Sequence, residues 1–410
     1  MESNELNILV ISFYFPPYKR VGGRRWAKHC KYLNRLGINT FVLTGEFPNS
    51  VSSWDKDITE YCDNVYRIKL KEGHLPYFKT KLPSGFIDKI KWKLSLLKWN
   101  FTKKKLKGNY NDVSVNAVND FCNKAILIIE SKSINTVILS VGPFRYSEIL
   151  VILKNKYPEI KFVIDYRDYW EDGYADLSPK QISYENKIQT SVVDSVDLIL
   201  TPNMDMKKHY SVSFNKNTFC LAHCFDKDEI LENNALQNTS VIKLLYGGAF
   251  YSNISENIDL IKKLIDGLTL KLPVIADFYV SIKGYEKELE HSLIKRFDFI
   301  DTEEYFLKVH ESNYVILILP PNRVNAMSSK FFELVALRKP ILYFGGEGEV
   351  SEYLIKQRLG YHVTSTNLNK LVDVIYNNIQ SQQIPDKNYD ISQHSFEHHT
   401  KLLVDKLKSL

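Results

Sequence analysis

Apolar residues along this chain gather into short unbroken runs, and the stretches between them carry a helical period. LNILVIS at 6–12 is such a run, the pattern of a strand buried on both faces of a parallel sheet. FPPYKRVGGRR follows it. Trp26, Cys30, Leu33 and Leu36 then recur at helical spacing until Gly37 stops the helix, and NTFVLTG begins a second strand. Strand, short loop, helix, glycine and strand make a βαβ unit. The alternation continues through a strand at 135–143, a helix over 146–155, KFVIDYRD at 161–168, a helix over 181–194 and the strand DLILTPN.

Beyond FCLAHCF the period fades, and the polar stretch 226–240 reads as a linker between domains. VIKLLYGGAF restarts the alternation. A helix over 254–268 follows, then the strands VIADFYVSI and NYVILILPP, the helix SSKFFELVALR, the strand PILYF and the loop GGEGEV. An amphipathic helix is expected over 390–410, with Phe396, Leu402, Leu403 and Leu407 along one stripe. Two blocks, each opened by a strand that leads into a Gly-Gly pair, predict an α/β protein of two doubly wound domains.

Size and composition agree with that reading. At about 150 residues per domain, 410 residues make two or three domains. Hydrophobic residues at 44% and charged residues at 25% exclude a disordered or fibrous chain. The five cysteines are scattered without a framework spacing, which points to a reducing compartment. The opening residues lack a basic region before their apolar run, so no secretory leader is expected. No run approaches the ~20 apolar residues of a membrane span.

The net charge of +6 is too mild to imply a nucleic-acid partner, but it is unevenly placed. From Lys89 to Lys107 there are eight lysines and no carboxylate, interleaved with Trp92, Leu96, Trp99 and Phe101. A basic amphipathic helix lying on an anionic membrane fits that composition; so does a solvated helix whose tryptophans pack on the first domain.

Ligands of doubly wound sheets bind beyond the carboxyl ends of the strands, so residues just after strands carry the chemistry. Gly22 and Gly23, followed by Arg24 and Arg25, precede the first helix. They suit close backbone approach to an anion or sugar, or a plain tight turn. Ser328, Ser329 and Lys330 open the helix that carries Glu333. This pattern serves either a helix cap or a phosphate on the helix start with a ribose diol on the carboxylate. DYRDYWED sets Asp165, Arg167, Asp168 and Asp172 at one strand end, as an internal ion pair or as a carboxylate aimed at a ligand by Arg167. Cys220, His223 and Cys224 lack a fourth ligand, and His394 with His398 lack the glutamate of a zinc helix, so no metal is expected.

Over nearly its whole length the chain resembles the GT-B glycosyltransferases of the family-4 type. ILVISFYFPPYKRVGGRRWAKHCKYLNRLGINTFVLTG is similar to their opening. VIDYRDYW is similar to a DxRDxW stretch of bacterial polysaccharide members, and SSKFFELVALRKPILYF to their donor-site helix. The resemblance implies GT-B architecture, two Rossmann-like doubly wound domains facing a central cleft. Residues 1–222 would bind the acceptor, 223–388 the nucleotide sugar, and 389–410 would return to the first domain. It implies a hexosyltransferase-type enzyme that moves a sugar from a nucleoside-diphosphate sugar to a glycan or lipid-linked acceptor in cell-surface polysaccharide synthesis. Configuration would be retained, with no metal and no cofactor beyond the co-substrate, in the cytoplasm or peripherally on the inner face of the cell membrane.

The same resemblance gives donor-binding roles to Gly22, Gly23, Gly248, Ser329, Lys330 and Glu333, and catalytic roles to Asp168 and Gly23. Acceptor or membrane contact goes to Arg24, Lys91, Trp92, Trp99, Lys103, Lys104 and Lys105. Two positions depart from the family pattern: Asn325 stands eight residues before Glu333 where a glutamate is usual, and Ala249 stands in place of an arginine. Those departures suit a catalytically inactive binding subunit that supports a partner enzyme. A GT-B sugar-nucleotide epimerase would want more acid–base residues than the sequence displays.

Overall fold

The computed structural model describes residues 5–18, 21–47, 64–70, 85–105, 107–109, 112–230, 240–250, 254–280, 289–320, 325, 327–381 and 389–410. The chain divides into two compact units, one of Met1–Leu221 with Thr400–Leu410, the other of Ala222–His399.

The first unit follows the apolar runs. β1 (Asn7–Ser12), α1 (Val21–Arg35), β2 (Asn39–Glu46) and β3 (Val65–Lys69) are followed by α2 (Phe86–Lys105) and α3 (Val118–Lys132). Then come β4 (Thr136–Ser140), α4 (Ile149–Lys156), β5 (Lys161–Asp165), α5 (Pro179–Asp194), β6 (Leu198–Thr201), α6 (Met204–Phe214) and β7 (Thr218–Cys220). All neighbouring strands are parallel, in the order β3-β2-β1-β4-β5-β6-β7, with Val10 opposite Val42 on one side and Ile138 on the other. Alternation along β1 feeds two apolar layers: Leu9 and Ile11 join Phe121 and Tyr146, while Ile8 and Val10 join Trp26 and Leu33.

The second unit repeats the plan with β8 (Ile242–Gly247), α7 (Ser255–Thr269), β9 (Val274–Tyr279), β10 (Ile294–Phe297), α8 (Thr302–Glu311) and β11 (Tyr314–Ile318). It continues with α9 (Ser329–Ala336), β12 (Ile341–Phe344), α10 (Glu349–Lys356), β13 (Gly360–His362) and α11 (Leu368–Gln380). Its parallel order is β10-β9-β8-β11-β12-β13. Strand order reverses beside the first strand of each sheet, between β1 and β4 and between β8 and β11, which are the positions where such sheets take ligands. The last helix, α12 (Phe396–Lys408), begins in the second unit, and from Thr400 onward the chain belongs to the first. Leu403, Val404 and Leu407 enter the layer of Trp26 and Leu33, and Thr400 Oγ1 meets His29 Nδ1 at 2.9 Å.

Local chemistry sets the element ends. Asn203 and Asp301 cap α6 and α8 through the amides of Met206 and Glu304, and Ser178 with Gln181 and Pro179 opens α5. Gly37 at φ 74° closes α1, with Ile38 N–H returning to Leu33 O at 3.0 Å. Several boundaries differ from the sequence reading. α1 begins at Val21, so Gly22 and Gly23 lie inside its first turn rather than in a turn before it. The helix expected over 146–155 splits into a 3-10 turn, Arg145–Glu148, and α4. α12 starts at Phe396 rather than 390, after a short 3-10 turn at Ser392–His394. Residues 231–239 of the expected linker lie outside the described residues, and the division between units falls at Leu221.

Candidate functional site

In the first unit the residues of interest meet beyond the carboxyl ends of β1, β4 and β5. Asp165, the last residue of β5, is fully buried. It accepts from Arg25 Nε at 3.1 Å, Arg25 Nη2 at 3.2 Å and Trp26 Nε1 at 2.8 Å, and Arg25 Nη2 also reaches Leu221 O at 2.6 Å. That carboxylate is therefore the internal ion pair, bidentate and closed to ligands.

Arg167 turns the other way. Its Nε donates to Val141 O at 2.9 Å, Nη1 to Gly22 O at 2.6 Å and Nη2 to Gly142 O at 3.0 Å, so one guanidinium ties the loop after β4 to the start of α1. It does not orient a neighbouring carboxylate, the role its position in DYRDYWED suggested. The glycines it touches are explained by it. A Cβ on Gly22 would lie 2.5 Å from Nη1, and one on Gly142, at φ 115°, would meet Nη2. Gly23 has a different reason, because a Cβ there would press within 3.1 Å of the Phe15 backbone. Asp168 and Asp172 are exposed, whereas Arg24 is 7% exposed within α1. Trp170 is buried and donates from Nε1 to Glu185 Oε2 at 3.1 Å.

In the second unit the corresponding place is the end of β8. Gly247 closes the strand, and Gly248 (φ 147°) donates its N–H to Tyr279 O at 3.0 Å. Lys330, the second residue of α9, extends over the Tyr246 ring with Nζ 4.5 Å from the ring centre, and a Cβ on Gly248 would come within 2.8 Å of Nζ. Burial pushes the Lys330 ammonium down to about 8, against the pull of Glu333.

Ser328 caps α9 by accepting the Phe331 amide at 3.3 Å. Phe331 fills the third helical position, where a capping-box glutamate would stand, so Glu333 lies beyond that role. Glu333 is buried instead, one turn from Lys330 and in the field of Tyr305. The Tyr305 ring covers Gly247, and its hydroxyl, shielded from solvent, lies near the Gly247 amide but outside hydrogen-bonding geometry. Ser329 begins the helix beside them. Asn325, at the family's glutamate position, accepts the Glu349 amide at 3.2 Å and so caps α10.

The lysine-rich segment is the helix α2. Its exposed apolar residues are Phe86, Ile87, Ile90, Leu94, Leu97 and Phe101, the last five a stripe at alternating spacings of three and four. Trp92 and Leu96, expected on that stripe, are half-buried. Lys89, Lys91, Lys93 and Lys98 are exposed, while the side chains of Trp99 and Lys103–Lys105 lie outside the described residues. Among the described residues no helix is long and apolar enough to cross a membrane, and no three side chains of metal-ligating type converge.

Arg167, Tyr246 and Tyr305 were not singled out as ligand-binding positions by the sequence. The roles of Arg167 depend on carbonyls at residues 22, 141 and 142, which carry no side-chain signal, and the two tyrosines lie within ordinary strand and helix periods.

No family model matches the chain, and no curated protein matches it in sequence. Solved structures do match in fold. An α,α-trehalose-phosphate synthase (UDP-forming) from Burkholderia vietnamiensis superposes with a TM-score of 0.57 at 8% identity, over 98% of this chain and 100% of that one. The N-terminal domain of Candida albicans trehalose-6-phosphate phosphatase gives 0.56 at 10%, over 98% and 96%. S. aureus MnaA with UDP gives 0.51 at 10%, again over 98% and 96%. At such identities the likeness is one of fold. The chain is α/β, with two Rossmann-like parallel-sheet domains of the GT-B kind.

Proposed function

We propose that this protein is a glycosyltransferase that takes a sugar from a nucleoside diphosphate and passes it to a glycan or lipid-linked acceptor. The second unit would bind the donor and the first the acceptor. The observation that carries the reading is the group at the end of β8, where a lysine of depressed pKa lies against Gly248 at the start of a capped helix, with a buried carboxylate one turn on. An ammonium beside helix amides offsets diphosphate charge as the leaving group departs, and a carboxylate takes the two hydroxyl protons of a ribose. As the sequence resemblance implies, we take the transfer to be metal-independent, hexosyl-type and retaining.

The test is release of nucleoside diphosphate from a panel of UDP-, GDP-, ADP- and TDP-sugars, with Glu333→Ala and Lys330→Ala as controls. Turnover of one donor, lost in both variants without loss of fold, is the expected result. Binding without turnover in every case would leave the inactive, partner-supporting subunit as the better reading.

α2 supports a peripheral place on the inner face of the membrane, in keeping with cell-surface polysaccharide synthesis. It presents an exposed apolar stripe flanked by exposed lysines. Each basic residue near an anionic leaflet contributes ~1 kcal/mol. Flotation with vesicles of rising phosphatidylserine content should retain the wild type and release a variant with Lys91, Lys93, Lys103 and Lys105 changed to Glu. Equal flotation of the two proteins would remove the membrane from the proposal.

A further inference from the structure

Among the described residues, Arg167 is a cation with no counter-charge. Its three hydrogen bonds go to carbonyl oxygens, and among the described residues no carboxylate lies within ion-pair distance. Asp165, two residues earlier, is spent on Arg25 and Trp26, and Asp168 is exposed to solvent. The guanidinium is half-buried, and its neighbours Gly22 and Gly142 are half-buried as well, so it borders solvent. A desolvated charge is normally compensated by an opposite one, and carbonyl dipoles alone leave the net charge in place. The fork has five N–H groups, of which three are used. One N–H remains on each terminal nitrogen, the arrangement that grips a phosphate through two oxygens. Three carbonyl tethers fix the fork at the reversal of strand order, between the loops after β1 and β4.

We propose that Arg167 binds an anionic group of the phosphate or diphosphate class on the first unit. As a property of the acceptor this rests on the transferase reading, and it makes the acceptor a phosphorylated one. Donor diphosphate held at Lys330 is a separate matter.

The experiment titrates the full chain calorimetrically with inorganic pyrophosphate, geranyl diphosphate and UDP. Arg167→Gln should weaken pyrophosphate and geranyl diphosphate by at least about tenfold, the effect of a lost charge-assisted fork. Arg167→Lys, which keeps the charge without the fork, should fall between wild type and Arg167→Gln, and Lys330→Ala should weaken UDP alone. Geranyl diphosphate binding more tightly than pyrophosphate would assign a lipid diphosphate, and the reverse order a soluble one. A wild-type measurement covers the case in which Arg167→Gln does not fold: pyrophosphate should slow phenylglyoxal modification of Arg167, read by mass spectrometry, at least about fivefold. Unslowed modification, or pyrophosphate affinity that follows Lys330 instead of Arg167, overturns the site. Because no sugar transfer is measured, failure here leaves the transferase proposal standing, and failure of transfer leaves this site standing.

Discussion

Two cations, Arg167 and Lys330, lie against glycine backbone at the ends of the strands where each sheet reverses its order, and their chemistry differs. Lys330 is driven down to about 8 by burial, so it is charged below that pH and neutral above it. Nucleoside diphosphate affinity should therefore fall as pH rises through about 8, and Lys330→Arg should remove the fall, because guanidinium does not titrate there; titrations from pH 6.5 to 9.5 check it. Ala at Gly142 has to displace the guanidinium and adopt φ 115°, so a loss of roughly 1–3 kcal/mol in chemical denaturation is expected. His394 faces the hydroxyls of Tyr353 and Tyr389, with His398 and Asp390 nearby. Burial first, then His398, push its imidazole down to about 4 from 6.5. Between those values the unfolded chain holds the extra proton, so stability should drop as pH falls from 6.5 toward 4. Denaturation midpoints of His394→Gln against wild type across that window should converge at low pH. At this scale Lys330 and Glu333 were legible because a helix period and a serine cap frame them. Arg167 was legible as a residue but not as a clamp, since nothing in a sequence marks which carbonyls will converge.

Elements with both faces buried were the readable ones. β1, β4, β5, β11 and β12 are almost wholly buried, and each reads as a continuous apolar run. The edge strands β3 (VYRIK), β10 (IKRF) and β13 (GYH) are short and only partly buried, with no continuous apolar run, so their pattern falls below what periodicity detects. The sequence pattern starts α1 too late, because two glycines in a first turn look like a loop, whereas Arg167 and Phe15 fill their Cβ space. The stripe on α2 is exposed, so Leu94→Ser and Leu97→Ser together should change the melting temperature little while abolishing vesicle binding. α12 is the opposite case. Leu403 is fully buried among Trp26, Leu33 and Val10, and Leu403→Ala should cost ~2–5 kcal/mol in urea denaturation.

For the whole molecule, the doubled strand–helix alternation in the sequence implies two α/β domains, because parallel sheets force a crossover helix after nearly every strand. The membership of α12 beyond Thr400 in the first unit is a long-range fact, which the residue pattern carries only as an amphipathic stripe and which the family resemblance leads one to expect. It sets the order of synthesis against the order of assembly. A ribosome has made all of Met1–Leu221 well before Thr400–Leu410, yet Trp26 and Leu33 share their layer with Leu403 and Leu407. Domains generally fold as they emerge, N-terminal first. Here the nascent first unit has to wait, with an apolar groove uncovered, while the whole of Ala222–His399 is translated. Stalled chains released before Thr400 should therefore bind chaperones and resist protease poorly in their first unit, and chains that include Leu410 should not.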